Sequence, residues 1–338
     1  MGPRVGVNDQ HGPADSARAG QAGDRPLVGL IRNPRSHRNK GRPPELADDP
    51  RVLTEAPRNH EDLRRVLEHF AERGIDLLAV DGGDGTVRDV LTCGASIWGD
   101  AWPEIIVLPK GKTNALTVDL GLPNRWSLIE ALAAARGPHR VERRPLRIEA
   151  AGEERPAPLL GFIFGTGVFS LGTEAGQEAH RLGAFNSFAV GLTIAWGILK
   201  ALFGWNSTPW RTCTPARLVD RATGSDLPHG PHGTPGERYV VVATTFERFP
   251  LGLRPFGADA PTGLKLGIID WPLRWLVALL PAILAGFFPR FIARNGAHRI
   301  AVSALDIDLG GSFILDGEAY PAGCWRLGEG PLLRFVVP

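Results

Sequence analysis

The segment Asp81-Gly82-Gly83-Asp84-Gly85-Thr86 sets three glycines around an aspartate, between an apolar run and a helix-compatible stretch. Glycines let the backbone approach an anion closely, and N–H groups opening a helix meet it with the positive end of the helix dipole. At that position the Asp84 carboxylate would repel a bare phosphate, so it calls for a divalent cation or a proton in transfer between the two. The pattern points to a nucleotide with magnesium; its plain alternative is a glycine turn with an Asx cap.

Three further segments carry compatible chemistry. Pro109-Lys110-Gly111-Lys112-Thr113-Asn114 follows the apolar run 105–108 and precedes another helix-compatible stretch, so it should surface at the same carboxyl edge of a sheet. Asn33-Pro34-Arg35-Ser36, with Arg38 and Lys40 behind it, supplies polar donors suited to phosphates, or else a solvated basic loop. Far downstream, Phe313-Ile314-Leu315 runs into Asp316-Gly317-Glu318, two carboxylates at i and i+2 that can point the same way at a strand end.

Positioning these segments requires a sheet. Apolar runs at 27–31, 75–80 and 104–108 read as buried strands, and 61–73 carries Leu63, Val66, Leu67 and Phe70 at helical spacing. Residues 86–91 can open a second helix, and Leu128–Ala135 forms another, closed by Gly137-Pro138. Strand, helix, strand means a parallel sheet, so 27–140 reads as a doubly wound, Rossmann-like α/β domain. Beyond it the texture turns glycine-rich and β-branched, with strand candidates at 159–164, 239–245, 264–269 and 300–309, a mainly β second domain over 141–338. Residues 1–26 lack the apolar core of a secretory signal and read as a disordered leader. The stretch 223–236 reads as an exposed loop whose His229 and His232 are solvated rather than metal ligands.

Composition narrows the classes. In 338 residues, Lys+Arg 38 against Asp+Glu 36 leaves +2, too little for a nucleic-acid binder. Cys93, Cys213 and Cys324 are odd in number and far apart, which fits neither a disulfide framework nor a zinc cluster and favours a reducing, cytoplasmic compartment.

Taken in order, Asn33-Pro34-x-Ser36, Gly82-Gly83-Asp84-Gly85-Thr86, Pro109-x-Gly111-x-x-Asn114 and Asp316-Gly317-Glu318 resemble the diacylglycerol kinase catalytic-domain family, which includes ceramide, sphingosine and bacterial lipid kinases. The resemblance runs from about Leu27 to the C-terminus. It implies ATP- and Mg²⁺-dependent phosphorylation of a lipid hydroxyl, with nucleotide between the α/β domain and an antiparallel β-sandwich whose last segment returns to the first domain. Asn33, Ser36, Gly82, Gly83, Gly85 and Thr86, with Lys112, Thr113 and Asn114, would hold the nucleotide. Asp316 would be the general base, Asp84 a second catalytic carboxylate, and Asp84 and Glu318 the magnesium ligands. Lys112 stands where the family has a hydroxyl, His37 where glycine is common, and Thr262-Gly263 where Asp-Gly is usual, which leaves an accessory acidic network incomplete.

Acceptor chemistry belongs to the second domain. Residues 182–199 are uncharged for 18 positions, read as a lipid-channel element, as core or as a span, and Glu174 and Glu178 could orient a head group or simply be solvated. Within 271–293, Pro281 and Pro289 break the apolar run into two short helices. There Trp271, Trp275, Phe287, Phe288 and Phe291 mix with Arg274, Arg290 and Arg294, as at a headgroup layer, implying peripheral association with the inner face of a membrane. A homodimer stays open. The alternatives are an NAD kinase-like soluble enzyme and a non-catalytic lipid or nucleotide binding module.

Overall fold

Strands covered on both faces read as unbroken apolar runs, and β1 (Val28–Arg32) and β3 (Leu77–Gly82) are buried at every residue. The computed structural model describes residues 25–152, 157–172, 209–257 and 260–338. Around β1 and β3 the first sheet runs β2-β1-β3-β4-β19-β5, where β2 is Val52–Glu55, β4 Glu104–Pro109, β5 Arg140–Arg143 and β19 Leu333–Val336. All pairings are parallel except that of β19 with β5.

The helices of this domain sit where the periodicity places them. Helix α1 (His60–Glu72) starts at Asn59, whose side chain accepts from the Asp62 N–H at 2.8 Å, and buries Leu63, Leu67 and Phe70. Helix α4 (Leu128–Ala135) is opened by a capping box between Ser127 and Glu130. Helix α2 (Asp84–Trp98) is much longer than the 86–91 read from the sequence. Within it Gly94 makes room for two indoles, a Cβ there falling 2.6 Å from the Trp102 ring and 2.8 Å from that of Trp98. A short α3 (Ala115–Asp119) follows β4. The sheet takes in β5, three residues past the change of texture at 140.

Two antiparallel sheets make up the second layer pair. One runs β10-β9-β15-β18-β6-β7, with β11 also on β9, and the other β14-β13-β12-β8-β16-β17. Their ranges are β6 Leu146–Ala150, β7 Leu159–Gly161, β8 Ile163–Gly167, β9 Thr214–Asp220, β10 Ser225–Asp226, β11 Glu237–Arg238 and β12 Val240–Thr244. They continue as β13 Lys265–Ile269, β14 Ala297–Ala301, β15 Ala304–Leu309, β16 Phe313–Leu315, β17 Glu318–Tyr320 and β18 Gly323–Glu329. Leu146, Leu218, Leu327, Phe164, Val241 and Phe313 fill the space between them. The single strand expected over 300–309 is two, because the chain leaves one sheet after Ala301 and enters the other at Ala304.

The chain from Trp271 to Gly296 forms three short helices rather than two: α5 (Arg274–Ala278), α6 (Leu280–Leu284) and α7 (Arg290–Arg294). Pro281 falls in the first turn of α6 and Pro289 caps α7, positions that need no backbone donor. Among the described residues, no helix is long and apolar enough to cross a membrane. The two loop histidines are partly buried rather than fully solvated. His229 is half-buried with its ring nitrogens on the carbonyls of Gly230 and Glu237 (2.8 and 3.3 Å), and His232 reaches the Asn295 side chain at 3.3 Å. The uncharged run 182–199, Glu174 and Glu178, and residues 1–24 lie outside the described residues.

Candidate active site

The strand order reverses between β1 and β3, because the chain steps outward from β1 to β2 and then back across β1 to β3. A crevice opens beyond the carboxyl ends of strands at such a switch. The loop after β1 begins at Asn33 and the loop after β3 at Gly83, so the sequence motifs fall at the switch itself. They are tied together: the Asn33 amide donates to Thr86 Oγ1 at 3.0 Å, the Asn33 N–H to the Asp81 carbonyl at 3.0 Å, and Asn39 Nδ2 to the carbonyls of Asn33 and Asp81. Ser36 is half-buried, its N–H on the Asn33 carbonyl at 3.1 Å.

The lysine-bearing loop meets the glycine loop backbone to backbone. A Cβ on Gly83 would lie 2.9 Å from the Gly111 Cα, and one on Gly111 2.7 Å from the Gly83 Cα, so both must be glycine for the loops to touch. Asn114, in the left-handed region at φ 50°, closes the second loop by accepting from the Gly111 N–H at 2.8 Å and donating to its carbonyl at 3.0 Å. Lys112 and Thr113 stand exposed at the tip, and Gly85 is half-buried in the first turn of α2.

Asp84 is the first residue of α2 and accepts from the first two N–H groups of α3, Ala115 at 3.0 Å and Leu116 at 3.2 Å. Burial nevertheless pushes its carboxyl above the usual value, with those amides opposing the shift. Asp316 follows β16 at φ 44°, a conformation that side chains adopt at a cost. Its carboxylate accepts from the N–H groups of Phe162 (2.9 Å) and Ile163 (2.8 Å), at the junction of β7 and β8. Gly161 makes room for it, since a Cβ there would fall 2.7 Å from Asp316 Oδ2. Desolvation lifts the Asp316 carboxyl to about 7, and the charge of Asp84 adds to the lift. The two carboxylates, 232 positions apart in the chain, therefore lie near enough for the charge of one to act on the other.

Arg88 is the link that the sequence reading missed. One turn along α2 from Asp84 and almost fully buried, it donates to the carbonyls of Leu315 (3.3 Å) and Asp316 (3.4 Å). Asp89 holds the guanidinium at 2.7 Å, and exposed Glu318 lies 3.7 Å from it. A further turn on, Thr92 accepts from the Leu160 N–H at 3.0 Å and donates to its carbonyl at 3.2 Å. Asp84, Arg88 and Thr92 thus line one face of α2, and Arg88 and Thr92 fix the second domain against the first. An arginine among hydrophobic residues carries no motif, and only its i, i+4, i+8 spacing from Asp84 could have flagged it. A second clamp lies behind α3: buried Asp119 binds Arg143 at 2.7 Å and accepts from the N–H groups of Glu247 and Arg248, both at 2.7 Å.

Among the described residues no three His, Cys, Asp or Glu side chains gather as a metal cage. Magnesium held chiefly by phosphate oxygens and water needs only one or two carboxylates and no such cage. Next to Thr262, which stands where the family usually has aspartate, Gly263 lies against Glu329, whose carboxylate accepts the Leu264 N–H at 3.0 Å, and buried Lys265 donates to the Gly263 carbonyl at 3.1 Å. Glu329 supplies a carboxylate there from another strand.

Comparisons with known proteins agree with this architecture. Three crystal structures named as diacylglycerol kinases from Bacillus anthracis str. Sterne, two of them provisionally, superpose with a TM-score of 0.60. Their identities are 17%, 15% and 17%, over 92%, 92% and 95% of this chain and 97%, 96% and 99% of theirs, a likeness of fold. No curated protein matches. Residues 30–143, the stretch that holds the switch-point loops and Asp84, match the model of the diacylglycerol kinase catalytic domain.

Proposed function

We propose that the protein is an ATP- and magnesium-dependent lipid kinase that phosphorylates a hydroxyl of diacylglycerol, ceramide or a similar two-chain lipid. The observation that carries this reading is the meeting of Asp316, brought in by the second domain, with Asp84 at the nucleotide-type loop of the first. Phosphoryl transfer asks mainly for positioning and charge neutralisation. Gly82, Gly83, Gly85 and Thr86, with Asn33, Ser36 and the tip of the second loop at Lys112, Thr113 and Asn114, would hold the nucleotide. Asp84 and Glu318 would hold the cation. Bound ATP with Mg²⁺ supplies the transferable phosphoryl group and neutralises its charge.

The chain's own part is proton transfer and orientation. Asp316, with a carboxyl near 7, is matched to taking the proton of an acceptor hydroxyl at neutral pH. Two backbone N–H groups fix its plane, and Arg88 fixes its main chain. Incubation with radiolabelled ATP and Mg²⁺ against diacylglycerol, ceramide, a sphingoid base, phosphatidylglycerol and NAD tests the reading. Label in a two-chain lipid is the expected result. Label in NAD alone would make the protein a soluble dinucleotide kinase, and nucleotide binding without transfer a non-catalytic module.

A further inference from the structure

The outer surface of α5–α7 lies apart from the Asp84–Asp316 site. These helices follow β13 at Ile269 and precede β14 at Ala297, a pairing that lies across the third sheet from Ile163, next to Asp316. Their inner faces are used: Leu276, Val277, Ile283 and Ile292 are buried in a small core with Tyr239, Ile269 and Ala297. What remains outside is unusual. Trp275 is 38% exposed, Phe287 52% and Phe291 47%, and the Trp275 and Phe291 rings lie 5.9 Å apart, so α5 and α7 present one aromatic surface. Exposed large apolar side chains clustered in this way mark an interaction surface.

Charge identifies the partner. From Trp271 to Leu305 the sequence has no Asp or Glu, while Arg274, Arg290 and Arg294 are exposed among the rings. A surface for a second protein can share rings and Arg. A second copy of this chain, however, would set these like charges against one another, and a single sign of charge suits an anionic partner. A surface of rings and guanidinium groups alone matches phosphate headgroups over an acyl layer, since Arg binds phosphate through its planar fork and Trp favours the interface. Helices of five residues cut by Pro281 and Pro289 cannot span a bilayer but can lie in its boundary. Phe288, which the sequence placed among the membrane-facing rings, is turned inward under Arg299, 4.1 Å from the ring centroid, and packs in the core.

We propose that α5–α7 is a docking surface for a bilayer containing anionic phospholipid, with Trp275, Phe287 and Phe291 entering the acyl boundary and Arg274, Arg290 and Arg294 engaging phosphates. The test is co-sedimentation of the full chain, without ATP, with vesicles of phosphatidylcholine alone or with 30% phosphatidylglycerol. Anionic vesicles should bind at least tenfold more strongly, and high salt should abolish most of the gain. The triple change Trp275→Ser, Phe287→Ser, Phe291→Ser and, separately, Arg274→Gln, Arg290→Gln, Arg294→Gln should each reduce binding at least tenfold with an unchanged melting temperature. No preference for anionic vesicles, or full binding by both variants, overturns the proposal. A serine variant that melts early and a parent chain that ignores vesicles would instead make the rings core against another segment. A shift from dimer to monomer without vesicle binding would make them a contact between two copies. Because the assay needs no turnover, its failure leaves the kinase reading standing, and the reverse also holds.

Discussion

Asp84 accepts the opening N–H groups of a helix that starts 31 residues further along the chain, whereas Asp316 accepts two strand-junction N–H groups from 153 and 154 residues back. Both carboxylates have two backbone donors, and both are pushed upward by burial. Asp84 is held entirely within the first domain, between α2 and α3. Asp316 exists as a shaped group only when β7, β8 and β16 have paired and α2 has docked on them. The Asp84 carboxylate can therefore be positioned locally, while that of Asp316 depends on both domains being in place.

The largest test of that contrast is Asp316→Asn. It should cut kcat by about 10²- to 10⁴-fold, the range for losing a general base, with KM for ATP nearly unchanged, in steady-state kinetics. Asp84→Asn should behave differently, lowering kcat and raising KM for ATP together. It should also cost about 1–3 kcal/mol in denaturant unfolding, because an amide can satisfy only one of the two α3 donors. Gly111→Ala should be of similar size, about 1–3 kcal/mol, since its Cβ would push the two loops apart, and titration with ATP should show weakened binding.

The pH dependence sharpens the comparison. A base must be unprotonated, and the Asp316 carboxyl lies near 7, so kcat should rise through about pH 7 and level off above it. Stability runs the other way for this group. Its folded value lies above the unfolded one, so its contribution is complete in acid and is lost as pH climbs through about 7. Arg88 lowers the Asp316 value, so Arg88→Met should move the midpoint of the kcat profile upward, a shift that mere loosening of α2 would not produce. The smallest effect is expected from Thr92→Val, which removes two hydrogen bonds to Leu160 at about 1 kcal/mol each and should leave the pH midpoint in place.

Much of the first domain was legible because its signals are local. The apolar run of β3, the helical spacing of Leu63, Val66, Leu67 and Phe70 and the Gly137-Pro138 stop each announce an element within a few residues. The aspartates were legible too, through their glycine neighbours. What holds Asp316 was not, because the N–H groups of Phe162 and Ile163 are present on any residue but proline, and only strand pairing aims them. Arg88 was missed for a related reason: on α2 it looks like a surface charge, and only the docked Leu315–Asp316 turn buries it. The division of 300–309 and the inward turn of Phe288 were likewise settled by which layer had room.

By itself the sequence determined the α/β alternation, the glycine-bearing loops and the two acidic positions, because apolar period and φ freedom are properties of short stretches of chain. Only the tertiary structure decided that Asp84 acts on Asp316, that Arg88 grips the Leu315–Asp316 turn and that α5–α7 turns its rings outward. Those outcomes depend on desolvation and on donor direction, and both are set by residues far away in the chain.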